Sequence, residues 1–274
     1  MAAIPSEVLE QQPRQQGLAN AGVGAGDKNY SSRHIQKLSG ARARKLLNMP
    51  ARIIFVTGTD TGVGKTLLTG LLLQHLRRNG CHTLAMKPFC SGGRADVDLL
   101  RAIQEGELTT DEINPFYFYE PIAPLVAARE HGLSISLQEV LRRIAHCVSR
   151  CECLLVEGSG GLLVPLGEGY TVADLVSKLN CDVVVVSANR LGTINHTLLT
   201  VRALQHAGIT TLKVVMMSCA KADESSRSNS RIVAEWLGGV PVFSVGFLGE
   251  NPMHVKAIKA SEKKVEKILA QITA

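Results

Sequence analysis

The run Gly58-Thr-Asp-Thr-Gly-Val-Gly-Lys-Thr66 constrains what this chain can fold into more than any other feature. It directly follows an apolar stretch at 53–57 and opens a helical period that begins at Lys65. Strand, glycine-rich loop and helix in that order form the context of a phosphate-binding loop. Small residues let successive backbone N–H groups turn inward around phosphate oxygens, and the amino end of the helix adds partial positive charge. On this reading Gly58, Thr59, Asp60, Thr61, Gly62, Val63, Gly64, Lys65 and Thr66 bind the nucleotide. Lys65 reaches the β- and γ-phosphates and Thr66 places its hydroxyl on Mg²⁺. Five residues separate Gly58 from Gly64, one more than the usual spacing.

From Arg52 onward apolar runs of strand length alternate with helical periods, as a parallel sheet covered on both faces requires. Strands are expected at 53–57, 83–87, 153–157, 182–187, 212–217 and 240–245, with helices at 65–79, 137–149, 172–179, 194–206 and 228–237. Each helix is long enough for a right-handed crossover. The expected fold is α/β: a P-loop NTPase-like, doubly wound, mostly parallel sheet with helices on both faces. In a last helix, Val255, Ile258, Val265, Ile268, Leu269 and Ile272 recur at helical spacing opposite Lys256, Lys263, Lys264 and Lys267, which reads as a solvated basic face.

Composition excludes several classes. The chain of 274 residues is 45% hydrophobic and 20% charged, ordinary for a globular protein. No apolar run approaches the roughly 18 to 20 residues of a membrane span, and Glu7 and Glu10 stand where a secretory signal carries basic residues, so a cytoplasmic location is expected. Residues 1–50 hold seven Lys and Arg against three acids, which is +4 of the net +6 and leaves too little charge elsewhere for a nucleic-acid surface. The seven cysteines show no paired spacing and mostly sit in apolar stretches, which predicts buried, reduced thiols. Residues 1–48 are rich in Gln, Ala and Gly and are expected to be a disordered extension, with one short basic helix around residues 33–47. Met49 is a candidate start, and 49–274 reads as a single domain.

Three further segments carry chemistry. Cys153-Leu-Leu-Val-Glu-Gly-Ser-Gly-Gly161 is a buried strand ending in Glu157, suited to Mg²⁺. Lys87-Pro-Phe-Cys-Ser-Gly-Gly93 sets a second lysine at the carboxyl edge of the sheet, where ligands collect. Asp96 and Asp98 follow at the start of a helix, and spacing alone supports helix capping as well as metal binding.

The segments TGTDTGVGKT, KPFCSG, VEGSGG and LGTINHTLLT, in this order, resemble the dethiobiotin synthase family over about Arg52 to Pro252. The extra loop residue is that family's habit. The resemblance implies an ATP-dependent ligase of biotin biosynthesis, in which 7,8-diaminopelargonate takes up CO₂ as a carbamate. ATP phosphorylates the carbamate, and the second amine closes a cyclic urea. It implies that Lys65, Lys87 and Thr61 act in catalysis, that Ser91 and Gly160 contact substrate, and that Thr66, Asp96 and Glu157 hold Mg²⁺. It further implies that Thr193, Ile194 and Asn195 hold the substrate's far carboxylate from a neighbouring subunit, so that the active form is a homodimer.

Two positions depart from the family. Gly62 stands where glutamate is frequent, and Met217 with Ser218 stands where an asparagine would recognise adenine. Two other readings compete. A related amide-forming synthase would need a glutamine-hydrolysing domain, for which the chain has no room. A MinD-like ATPase switch would carry a second lysine early in the loop, where this chain has Thr59, Asp60 and Thr61, and would leave KPFCSG without a role.

Overall fold

The computed structural model describes residues 51–274; the expectations for 1–48 and for a start at Met49 lie outside the described residues. In chain order the strands are β1 (Arg52–Gly58), β2 (Thr83–Met86), β3 (Phe89–Ser91), β4 (Phe116–Phe118), β5 (Cys153–Glu157), β6 (Pro165–Gly167), β7 (Tyr170–Thr171), β8 (Asp182–Asn189), β9 (Leu212–Ser218) and β10 (Val242–Val245). The helices are α1 (Lys65–Arg78), α2 (Ala95–Ile103), α3 (Thr110–Ile113), α4 (Pro124–Glu130), α5 (Leu137–Val148), α6 (Val172–Lys178), α7 (Thr193–His206), α8 (Asn229–Leu237) and α9 (Val255–Thr273).

Six strands form one sheet in the order β10-β9-β8-β1-β5-β2, every pair parallel. Phe55, Val56, Leu154, Leu155, Val156, Val185 and Val186 are all buried, so these strands are apolar continuously rather than at every second residue. That pattern is the signature of a sheet covered by helices on both faces. The chain runs outward from β1 to β2 on one flank and to β8, β9 and β10 on the other, which puts a topological switch point at β1. In such sheets ligands collect beyond the carboxyl ends of the strands at that point.

α1 packs along α9 through a close approach at Gly70, where a Cβ would meet Ile103 Cδ1 at 3.2 Å and Ile258 Cδ1 at 3.4 Å. Ile258, Val265, Leu269 and Ile272 of α9 are buried while Lys256, Lys263, Lys264 and Lys267 are exposed, as the helical spacing predicts. Buried Glu262 bonds His75 Nδ1 at 2.9 Å and Arg78 at 3.1 Å, which ties α9 to α1 with charge as well as apolar area.

Several boundaries shift by one or two residues, among them those of β2 and β10. β2 ends at Met86, so Lys87 opens the following loop instead of closing the strand. β10 begins at Val242 because Gly238 (φ 43°) and Gly239 (φ 99°) still turn the chain, and Pro241 has no N–H for the ladder. The two-stranded pairs β3–β4 and β6–β7 have strands of two or three residues, too short to print a period in sequence. All seven cysteines are free thiols. Burial pushes Cys147 up to about 11 and Cys153 and Cys181 up to about 12, so these thiols stay protonated. Among the described residues no helix is long and apolar enough to cross a membrane.

Candidate active site

The loop after β1 has the conformation its glycines suggest. A Cβ on Gly58 would stand 2.8 Å from Val63 Cγ2 and 3.0 Å from Lys65 Cδ, so a larger residue would force the loop apart. Gly64 is the N-cap of α1 at φ 100°, a left-handed conformation that L side chains rarely adopt. The loop is anchored on one side by Thr59 N–H donating to Val186 O at 2.9 Å, and the segment after β5 by Gly158 N–H donating to Val56 O at 2.9 Å. α1 has no side-chain cap and no acid in its first turn, which leaves its amino end electropositive.

Lys65 curls back over the loop and donates from Nζ to Asp60 O at 2.7 Å. Burial lowers its pKa to about 8, with Lys87 acting in the same sense and Glu157 against it. An anion arriving at the loop would therefore meet a desolvated ammonium whose protonation it favours.

The second part of the site joins three elements. Glu157, at the end of β5, is fully buried. Its Oε1 accepts from Thr66 Oγ1 at 2.6 Å and from Lys87 Nζ at 2.9 Å, while its Oε2 has no partner among the described residues. Lys87 Nζ also donates to Asp96. Burial alone would push the Lys87 ammonium toward neutrality, but Glu157 and Asp96 outweigh it and hold its pKa well above the ordinary range. The two aspartates differ in placement: Asp96 reaches Lys87, whereas Asp98 is exposed, and α2 has no side-chain cap.

The remaining expected residues fall around these two centres. Ser91 closes β3 with its Oγ buried and without a partner among the described residues. A Cβ on Gly160 (φ 64°) would lie 2.7 Å from Val164 Cγ2 and 3.7 Å from Thr61 Oγ1, and one on Gly161 would lie 3.4 Å from Thr59 O, so the loop after β5 rests on the phosphate loop. Thr193 is buried at the start of α7 and lines a small recess with Thr59 and Asp60, on the β8 flank of the loop. Lys87 and Asp96 follow β2, on the other flank. Gly192 (φ 90°), and neither Thr193 nor Asn195, is the N-cap of α7.

Met217, next to the last residue of β9, lies against the phosphate loop: a Cβ on Gly64 would meet Met217 Cγ at 3.2 Å. With Gly62, Leu67, Ser218, Cys219 and Phe247 it lines a cavity of about 170 Å³. Sequence reasoning missed Arg94, whose guanidinium lies 3.9 Å over the Tyr117 ring and whose buried Nε has no partner among the described residues. Its only signal was its position between Ser91 and Asp96.

The donors suit a hard cation. Glu157, Asp96 and Thr66 offer oxygen alone, and the orphaned Glu157 Oε2 is a buried charge-bearing atom with bonding capacity to spare. Among the described residues no group of three or more His, Cys, Asp or Glu side chains is placed to hold a metal.

Comparison with known proteins finds relatives over most of the described chain. A family model described as an AAA domain matches residues 52–254. The chain is 38% identical over 200 residues to the ATP-dependent dethiobiotin synthetase BioD of Bacillus subtilis (strain 168), covering 71% of this chain and 86% of that protein. It is 40% identical over 196 residues to the protein of that name from Anaeromyxobacter sp. (strain Fw109-5), covering 70% and 88%. The corresponding protein of Akkermansia muciniphila is 33% identical over 207 residues, covering 76% of this chain and 97% of that one. Among solved structures, a ParA family ATPase from Chlorobium tepidum TLS aligns with TM-score 0.49 at 14% identity over 79% of this chain and 92% of that one. With relatives of one name matched over most of their length, and the phosphate loop, Lys87 and Glu157 gathered at the switch point of the sheet, the chain belongs to the ATP-dependent dethiobiotin synthetase family.

Proposed function

We infer that the protein forms dethiobiotin from 7,8-diaminopelargonate, CO₂ and ATP, with Mg²⁺, as a cytoplasmic homodimer. The observation that carries this reading is the continuous chain Thr66–Glu157–Lys87–Asp96 beside Lys65, which sets two buried ammonium groups and an unsatisfied carboxylate where a triphosphate would end.

The reaction joins two anions, a carbamate and the γ-phosphate, so the protein's main task is to cancel their repulsion and align them. Lys65 would leave Asp60 O for the β- and γ-phosphates, and the open first turn of α1 would receive their oxygens. Lys87, held charged by Glu157 and Asp96, would turn its remaining N–H toward the carbamate and γ-phosphate, with the Ser91 hydroxyl completing that contact. Mg²⁺ bound by Thr66, Asp96 and Glu157 would supply further neutralisation of the phosphate charge. The carbamate oxygen bonds to γ-phosphorus as the bond to ADP breaks. The second amine then attacks the carbamoyl carbon, phosphate departs, and the amine proton is lost. Thr61 and Gly160, at the contact between the two glycine loops, would border the carbamate. Thr193, Ile194 and Asn195 would hold the far carboxylate at the uncapped end of α7 in a neighbouring subunit.

Incubation with 7,8-diaminopelargonate, bicarbonate and Mg-ATP, followed by mass analysis of the product, tests the reading. A cyclic urea formed one-for-one with ADP is expected. Phosphate release with no cyclic urea would instead identify an ATPase switch.

A further inference from the structure

The connection from β8 to α7 is short, with Arg190 N–H donating to Ala188 O at 3.0 Å and Thr193 N–H to Arg190 O at 3.1 Å. It runs through Arg190, Leu191 and Gly192, and Gly192 as N-cap brings no side chain to the start of the helix. A Ser, Thr, Asp or Asn at that position would fix the helix start and also occupy first-turn N–H groups. Here the fixing comes from outside. Asp223 Oδ2 accepts from Leu191 N–H at 2.8 Å, and Asn229 Nδ2 donates to Arg190 O at 3.3 Å. Asn229 Nδ2 is also 2.9 Å from Asn189 Oδ1 and 3.2 Å from Ser225 Oγ, and Asn189 Nδ2 donates to Ser226 O at 3.0 Å. Asn229 is 2% exposed and Asn189 7%.

Two carboxamides buried this deeply are costly unless satisfied, and once satisfied they admit few alternative geometries. One of their bonds, from Asn229 Nδ2 to Arg190 O, reaches the connection itself, and the others tie the end of β8 to Ser225, Ser226 and Asn229. Asp223 is itself held by Ser225 Oγ at 2.5 Å and Ser226 N–H at 3.2 Å. The result is a loop fixed from both sides in front of a helix whose first turn no side chain caps.

We propose that Asn189, Asp223 and Asn229 are positioning residues for substrate recognition: they hold the first turn of α7 in place, with Thr193 N–H donating to Arg190 O at 3.1 Å, while no side chain caps the N–H groups of Ile194 and Asn195 against the substrate's far carboxylate. This rests on the assignment of that turn to the carboxylate made above. The lock sets affinity for one end of the substrate and leaves the phosphate chemistry alone.

The test compares 7,8-diaminopelargonate with 2,3-diaminooctane, which keeps the vicinal amines and lacks the carboxylate. In Asp223→Ala, whose side chain is exposed, and in Asn229→Asp, KM for diaminopelargonate should rise about fivefold, as expected for a weakened helix-end interaction. KM for the analogue, KM for ATP, and kcat should stay at wild-type values. A purely structural role would move both diamines alike, so an equal change for the two, or no change in folded variants, overturns the proposal. Asn195→Asp separates the two layers of inference by adding a carboxylate beside the inferred carboxylate site. If it raises KM for diaminopelargonate while Asp223→Ala does not, the lock alone is refuted. If it leaves that KM untouched, the assignment of α7 fails and takes the lock with it.

Discussion

Glu157 at the carboxyl edge of the sheet and Glu107 near its amino edge both sit among cations, and the way each spends its oxygens separates function from stability. Glu107 Oε1 accepts from Arg77 Nη2 at 2.6 Å and its Oε2 bonds His82 Nε2 at 2.7 Å, so both oxygens are occupied. Burial alone would raise the Glu107 carboxyl, but the bonds from His82 and Arg77 outweigh it and hold the pKa down at about 2. Glu157 is more deeply buried, yet Thr66 and Lys87 both land on Oε1, and Oε2 is left without a partner among the described residues. A saturated carboxylate clamps α1 to the start of β2. An unsaturated one keeps capacity for something that arrives later. Buried polar atoms without partners are uncommon; among the described residues Thr57 Oγ1, Ser91 Oγ, Ser187 Oγ and Glu157 Oε2 lie toward the carboxyl ends of strands, while Arg94 Nε, Asn114 Oδ1, Thr197 Oγ1 and Glu262 Oε2 lie elsewhere.

The comparison can be broken at four points. The largest effect is expected at Lys87, the cation shared by Glu157 and Asp96. Lys87→Met should lower dethiobiotin formation about a hundredfold or more, roughly 2.7 kcal/mol, for loss of a charge-stabilising donor. Circular dichroism should stay close to wild type, and near-normal turnover in the folded variant would remove Lys87 from the mechanism.

The opposite outcome is expected at Glu107. Glu107→Gln should leave turnover intact and cost about 1–3 kcal/mol of stability, a range reduced for partial exposure of the cluster. Because the folded pKa lies below the unfolded one, this contribution is fully present above pH about 4.5 and fades as pH falls through about 2. Urea midpoints of the two proteins should therefore differ at pH 7 and converge toward pH 2. A constant gap across that range would show that the ion pair is not its source.

A smaller effect is expected at the cavity beside Met217, if the nucleotide base enters it. Met217 and the residues beside it offer a thioether, a hydroxyl and a thiol, and no carboxamide, so no lining side chain presents the separate donor and acceptor that pair with the adenine edge. Two lost neutral hydrogen bonds at roughly 1 kcal/mol each should leave ATP favoured over GTP, CTP and UTP by no more than about tenfold to a hundredfold in kcat/KM. A larger preference would show that backbone groups of the cavity wall read the base. The least effect is expected from removing residues 1–48. The described part of β1 is already tied at its start by Arg52 to Asp182 at 2.5 Å and to Thr273 O. A chain starting at Met49 should match the full chain in thermal midpoint and specific activity, and a marked fall in either would give the extension a role.

The phosphate loop was legible in sequence because its chemistry is local: Gly58, Gly64, Lys65 and Thr66 act within nine consecutive residues, where backbone geometry alone sets their relation. The six-stranded parallel sheet was legible for a similar reason, since burial on both faces writes continuous apolar runs such as Val183–Val186. The pairs β3–β4 and β6–β7 were not, because two or three residues cannot show a period.

Spacing left Asp96 and Asp98 equivalent, and only the placement of α2 beside Lys87 separated them. The seat of Met217 over Gly64, the orphaned oxygen of Glu157 and the bonds from Asn189 to Asn229 all join residues far apart in the chain. Such contacts depend on strand order and on the register of each strand against its neighbour. A hydrophobic period says that a residue faces inward and not what it faces, so those choices belonged to the tertiary structure.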